Sequence, residues 1–294
     1  GYASEVIGCP VYPIAGPDDK YFYEHPRPFM NIRTWKVAGL MADSSFLVNF
    51  AHVKGHPNTG FGAAIKNVAL GWVTGETRRA MHDVFHLAAY WYPEACPDEA
   101  TRRRIVDAGP YKALGEDKEE PGRLHLHHDR CNQCGRCLAV APAGSLRIDP
   151  ANFHPFFEAC AIAAEIVLST FAPGKAIHLN LATHMSPVCD CFGFTSLPIL
   201  PDAGIFGSDD IVAVDQAVLD ATRSLRLIEE NLPLVMEVAT REGHPFRQLH
   251  GPLKDPDLAT AFAEQHGLGS RAYDLVDVLP LEGIERAPLA YIPA

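Results

Sequence analysis

Cys131-Asn132-Gln133-Cys134-Gly135-Arg136-Cys137 limits what this chain can be more than any other stretch of it. Three thiols at Cx2Cx2C spacing, separated by polar and flexible residues, present no apolar face to a core. The same spacing wraps three thiolates around one iron–sulfur cubane. Eight cysteines stand at 9, 96, 131, 134, 137, 160, 189 and 191, so five of them fall in two tight groups. A secreted disulfide framework spreads its cysteines through a shorter chain, whereas clustered cysteines in 294 residues point to a metal or cluster site in a reducing compartment. The expectation is a cytoplasmic, metal-binding protein with a [4Fe–4S] cluster on Cys131, Cys134 and Cys137.

After Cys137 the chain reads Leu138-Ala139-Val140-Ala141-Pro142, which is similar to the end of the bacterial ferredoxin motif Cx2Cx2Cx3CP with Ala141 in place of its last cysteine. A cluster on this run then needs a remote ligand. Cys189 and Cys191, flanking Asp190 in a loop rich in proline and glycine, are the expected donors. The alternative is a structural zinc held by the same run with His127 or His128. Cys9, Cys96 and Cys160 are single and read as small buried hydrophobes.

Alternating helix and strand patterns give the class, an α/β fold with a mixed or parallel sheet, flanking helices and an inserted ferredoxin-like cluster-binding segment. The expected organisation is an α/β portion over 1–120, the iron–sulfur segment over 121–150, and 151–294 completing the same domain. Phe46, Val48 and Phe50 alternating with Leu47 and Asn49 suit a largely buried strand, and a helix follows over 63–73. Pro155 starts a helix running to about Phe171, and Ile177, Leu179 and Leu181 mark a second strand. Ser208, Asp209 and Asp210 cap a helix whose apolar stripe is Val214, Val218, Ala221, Leu225 and Ile228. Residues 109–130, with their run of charges, read as an exposed connector or insertion.

The first strand empties into a loop bearing His52, Lys54 and His56, followed by Lys66 and Asn67 at the start of the next helix. Imidazoles and ammonium groups around a glycine-rich turn and a helix N-terminus suit an anionic or carbonyl-bearing substrate. His52, Lys54 and His56 are the candidate catalytic residues, and Lys66 and Asn67 the candidate substrate-binding ones. Nucleotide motifs fail here, since Phe61 stands where a P-loop needs lysine and Ile65 where a dinucleotide fingerprint needs glycine or alanine. The net charge of −11 disfavours nucleic acid and anionic membrane surfaces as partners, and no apolar run is long enough for a membrane helix.

Taken in order, residues 52–67 (HVKGHPNTGFGAAIKN), the Cx2Cx2C run, 186–194 (SPVCDCFGF), 201–205 (PDAGI), 208–215 (SDDIVAVD) and 267–273 (GLGSRAY) resemble the DUF362 iron–sulfur proteins. The resemblance runs from about residue 1 to about 278. It implies an iron–sulfur centre, adds His82 and Asp202 as weaker site residues, and places Ala141 where the family usually has a fourth cysteine. It also implies a further N-terminal α/β portion before Gly1, either removed or supplied by a second chain. The functional expectation is an iron–sulfur oxidoreductase passing electrons to a small substrate. The alternatives are an electron-transfer or assembly subunit that docks a redox partner protein, and a non-redox lyase or dehydratase with an open iron.

Overall fold

The computed structural model describes residues 3–278 except 88, 129, 149–152, 194 and 235. The fold is mixed α/β, and its central sheet has three strands: β3 (Leu47–His52), β8 (Ala176–Ala182) and β9 (Gly204–Ser208), in the order β3-β8-β9. β3 and β8 are parallel, with Leu47 opposite Ala176 and His52 opposite Leu181, so their C-terminal ends lie side by side. β9 returns antiparallel to β8. Three antiparallel hairpins surround this sheet: β1 (Phe22–Phe29) with β2 (Ile32–Ala38), β4 (Lys54–His56) with β5 (Gly60–Gly62), and β6 (Leu114–Glu116) with β7 (Leu124–Leu126).

Helices α1 (Ser4–Ile7) and α2 (Gly39–Ala42) are short, and α3 (Ala64–Gly71) and α4 (Gly75–Asp83) follow the β4–β5 hairpin. α5 (Glu99–Asp107) and α6 (Arg136–Val140) flank the β6–β7 hairpin, and α7 (His154–Leu168), α8 (Ile211–Thr222), α9 (Pro245–His250) and α10 (Asp257–Gln265) complete the chain. The main core joins α3, α7, α8 and α10 to Trp35 and Val37 of β2. α7 starts one residue before Pro155, which fits proline's tolerance for a first helical turn. It is buried nearly all round, from Phe156 to Val167. Among the described residues no helix is long and apolar enough to cross a membrane.

β3 is not the largely buried strand its apolar residues suggest, because only one of its faces is covered. Leu47, Asn49 and Ala51 of β3 point inward, while Val48 and Phe50 are 52% and 60% exposed. In β8 the inward positions are His178 and Asn180, and Ile177 faces out. The reason is a polar layer between sheet and helices. Asn49 Nδ2 donates to the Ala64 carbonyl (3.1 Å) and lies 3.0 Å from His178 Nδ1, while Asn180 Nδ2 donates to Asp215 Oδ1 on α8 (2.7 Å).

Asp215 is fully buried and accepts the first two amide N–H groups of α3, Ala64 to Oδ1 (2.9 Å) and Ile65 to Oδ2 (3.0 Å). That helix N-terminus is therefore closed to a substrate anion, contrary to the expectation from its glycine-rich approach. α8 itself is capped by Asp210, whose Oδ1 accepts from Val212 N (2.8 Å) and Ala213 N (2.9 Å). It stops at Thr222, so Leu225 and Ile228 lie beyond it, and Ile228 N turns to the Ile199 carbonyl at 2.9 Å. Residues 109–130 are not a bare connector either. Leu114, Leu124 and Leu126 are buried with Trp91, Ile105 and Leu146 in a small core of their own, which spans both sides of residue 121.

Replacing Asp215 by Ala leaves three buried N–H donors unsatisfied and is expected to cost about 3 kcal/mol or more in chemical denaturation. A second expectation concerns acid. Burial lowers the pKa of His178 and His244 to about 4 and of His250 to about 3, and holds His56 well below the ordinary imidazole range. Below pH 6.5 the unfolded chain binds four protons that the native chain refuses, less one that buried Asp215, raised to about 6, takes up in the native state. Stability should therefore fall from pH 6.5 towards pH 4.5, with a slope approaching about 4 kcal/mol per pH unit. Denaturation midpoints that stay flat over this window would contradict it.

Candidate functional site

The adjacent C-terminal ends of β3 and β8 deliver two loops to one place. β3 continues into the β4–β5 hairpin, and β8 continues through Ser186-Pro187 to Cys189 and the one-turn 3-10 helix Asp190–Phe192. Gly55 N donates to the Ser186 carbonyl at 2.9 Å. A Cβ on Gly55 would stand 2.3 Å from the Pro187 carbonyl oxygen, so only glycine lets the two backbones meet this closely.

The Cys-Asp-Cys turn is held from both sides. Asp190 Oδ2 accepts from Lys54 Nζ (3.0 Å) and lies 3.4 Å from His52 Nδ1, while His52 Nε2 is 2.9 Å from the Thr183 carbonyl. Burial opposes the charge on Asp190, but Lys54 and His52 still hold its carboxyl below the usual range. On the inner side Lys66 Nζ, from the first turn of α3, donates to Cys189 Sγ (3.1 Å) and Cys191 Sγ (3.6 Å). His56 Nε2 lies 3.8 Å from Cys191 Sγ. Nδ1 of the same ring accepts from the amides of Asn58 (3.2 Å) and Thr59 (3.3 Å). A neutral ring accepting at Nδ1 carries its proton on Nε2, the atom turned towards sulfur.

The Cys191 thiol donating to Cys189, together with the Lys66 ammonium, brings Cys189 well below the ordinary thiol range despite burial. The same pairing pushes Cys191 up. One proton is thus easily lost from the pair and the second is retained. Cys189 is buried and Cys191 exposed.

Among the described residues, the ligand atoms of His56, Cys189 and Cys191 lie within 4.8 Å of one another, a spacing that could hold a metal ion. Four of the five loop residues expected from the sequence, His52, Lys54, His56 and Lys66, gather on this turn. Asn67 does not, because its Nδ2 donates to Asn49 Oδ1 in the polar layer (2.8 Å). Asp202 accepts from His184 N (2.7 Å), bracing the loop after β8. His82 Nδ1 sits 2.7 Å from the Arg78 carbonyl. The roles of Asp215 and of the neutral tautomer of His56 have no signature in the sequence. Asp190 alone could have been found there, as the residue enclosed by the two cysteines.

Cys131, Cys134 and Cys137 line a separate recess with Leu114, Leu126 and Ile148. Burial raises the thiol pKa of Cys131, and raises that of Cys137 to about 11 with the help of its two neighbours. The loop wraps tightly, with Gln133 at φ 57° and Gly135 at φ 78°. Asn132 Nδ2 and both amide atoms of Gln133 are buried without a hydrogen-bond partner among the described residues. The segment joining α9 to α10 touches both sulfur-bearing places. His250 Nε2 is 2.8 Å from the Pro187 carbonyl, a Cβ on Gly251 would stand 2.2 Å from the Asn132 carbonyl, and Lys254 Nζ donates to the carbonyls of Cys131 and His128. The His128 ring packs against Phe85 and Phe153.

An α/β protein with two cysteines, a lysine and a histidine gathered beyond the joined ends of two parallel strands is the class that fold and site define. The chain belongs to the DUF362 family, described as a domain of unknown function, whose family model matches residues 1–220. Neither the curated proteins nor the solved structures contain a match to it.

Lys66→Met removes the cation beside both sulfurs and should move the pH at which Cys191 is alkylated by iodoacetamide upward by about one unit or more. An unchanged alkylation profile would show that Lys66 does not act on the pair.

Proposed function

We propose that this protein is an iron–sulfur oxidoreductase, with a [4Fe–4S] cluster on Cys131, Cys134 and Cys137 and a small substrate bound at the Cys-Asp-Cys turn. The observation that carries the reading is the donor set of the recess. Burial raises the thiol pKa of Cys131 and Cys137, and beside them the buried amide N–H groups of Asn132 and Gln133 have nothing to donate to among the described residues. An iron–sulfide core answers both needs, since its iron takes thiolate ligands and its sulfides accept N–H bonds. When bound, the cluster would supply electrons one at a time.

The protein's own residues do the rest. Leu114, Leu126 and Ile148 keep water from the recess. Lys254, bonded to the carbonyls of Cys131 and His128, places positive charge behind the thiolates. At the turn, Lys54 and Lys66 provide positive charge for an anionic or carbonyl-bearing group, which would compete with Asp190 and Cys189 for them. His52 is placed to hand over a proton, because an imidazole nitrogen can give and take one and Asp190 lies beside its ring.

Protein prepared without oxygen is expected to contain about four iron and four sulfide per chain. Cys134→Ser should lower both, while Cys9→Ser leaves them unchanged. One zinc per chain with no sulfide would overturn the reading.

A further inference from the structure

The hydrogen bonding at the Cys-Asp-Cys turn serves sulfur as an acceptor. A histidine that ligates a metal through one ring nitrogen ordinarily donates from the other to a carbonyl or carboxylate. His56 does the reverse, accepting two backbone amides at Nδ1 and presenting N–H to Cys191. Lys66 occupies the cation position next to both sulfurs at 3.1 and 3.6 Å. Cys191 N also approaches Cys189 Sγ (3.5 Å), which folds the two side chains into one turn. Asp190, fixed by Lys54 and His52, prevents that turn from rotating the sulfurs apart.

We propose that Cys189 and Cys191 form a dithiol–disulfide couple that reduces a disulfide-bearing substrate. Cys189 caps the one-turn helix that carries Cys191, and their two sulfurs already lie within 4.8 Å of each other, so a rotation about the side chains can join them. Their unequal exposure divides the labour. Cys191 faces solvent and is the sulfur an incoming disulfide can reach, whereas Cys189 is 5% exposed and meets only its neighbours.

Cys191 passes its proton to the neighbouring Cys189 thiolate as its own sulfur attacks one substrate sulfur; the substrate S–S bond breaks and the first substrate sulfur leaves as thiolate. Cys189, beside Lys66, then attacks Cys191 Sγ. The mixed disulfide breaks, and the second substrate sulfur leaves with the proton that Cys189 had taken up. Two electrons and the pair's one proton pass to the substrate, and the protein keeps the Cys189–Cys191 disulfide. No iron takes part, so the inference stands apart from the cluster reading.

The test uses the purified full chain and 5,5′-dithiobis(2-nitrobenzoate) as the probe disulfide. Lys175 and Arg223 bound the tryptic peptide 176–223, which contains Cys189 and Cys191 and no other cysteine. After reaction this peptide should be lighter by two hydrogen atoms and carry no adduct. Cys189→Ser should instead trap the probe on Cys191. The same result is expected in Cys134→Ser protein, whose iron content separately judges the cluster. A lasting adduct on Cys191 of the unaltered chain would overturn the couple. So would a pair that reacts only after a chelator has stripped a bound metal, which would make His56, Cys189 and Cys191 a metal site.

Discussion

Asp215 is the carboxylate on which the site is built. Its two oxygens hold the first turn of α3 and Asn180 of β8 to α8, three elements far apart in the chain. Burying a carboxylate is costly, and it is tolerated here because three N–H donors, two of them at a helix N-terminus, converge on it. α3 is thereby set at a fixed height over the sheet, and Lys66 on its first turn meets Cys189. The price of this arrangement is a polar seam at Asn49, His178 and Asn180, which turns Val48, Phe50 and Ile177 outward.

The two groups of cysteines are stabilised in opposite ways. At the Cys-Asp-Cys turn the protein supplies its own positive charge and N–H donors, Lys66 to both sulfurs and His56 to one, and the pair ionises without help from outside. In the Cx2Cx2C recess burial raises the thiol pKa of Cys131 and Cys137, and the nearby amides of Asn132 and Gln133 have donors without acceptors among the described residues. The first arrangement carries its own cation and donors, and the second leaves its donors without acceptors among the described residues. The segment around Gly251 lies against both, so a change at one can be felt at the other through a single stretch of backbone.

Much of the helical framework was legible in the chain. Pro155 and the apolar density after it gave α7, and the acidic cluster at 208–210 gave the cap of α8. Both are local signals, carried by a ring that fixes φ and by a side chain that reaches its own helix. The convergence of His52, Lys54, His56 and Lys66 with Cys189 and Cys191 was foreseeable too, because loops after parallel strands gather at one sheet edge.

By itself the sequence determined the family, the α/β class and the two groups of cysteines, since spacing and periodicity are properties of neighbours in the chain. Only the tertiary structure decided which face of the sheet is covered, that Asn67 turns to Asn49, and that the N-terminus of α3 is filled by Asp215. Alternation shows that a strand has two faces, but which one is buried depends on helices placed from elsewhere. Likewise the pairing of Cys189 with Lys66 and the tautomer of His56 arise from contacts between residues more than a hundred positions apart or from backbone amides in a tight turn. Those partners become neighbours only when β3 and β8 lie side by side.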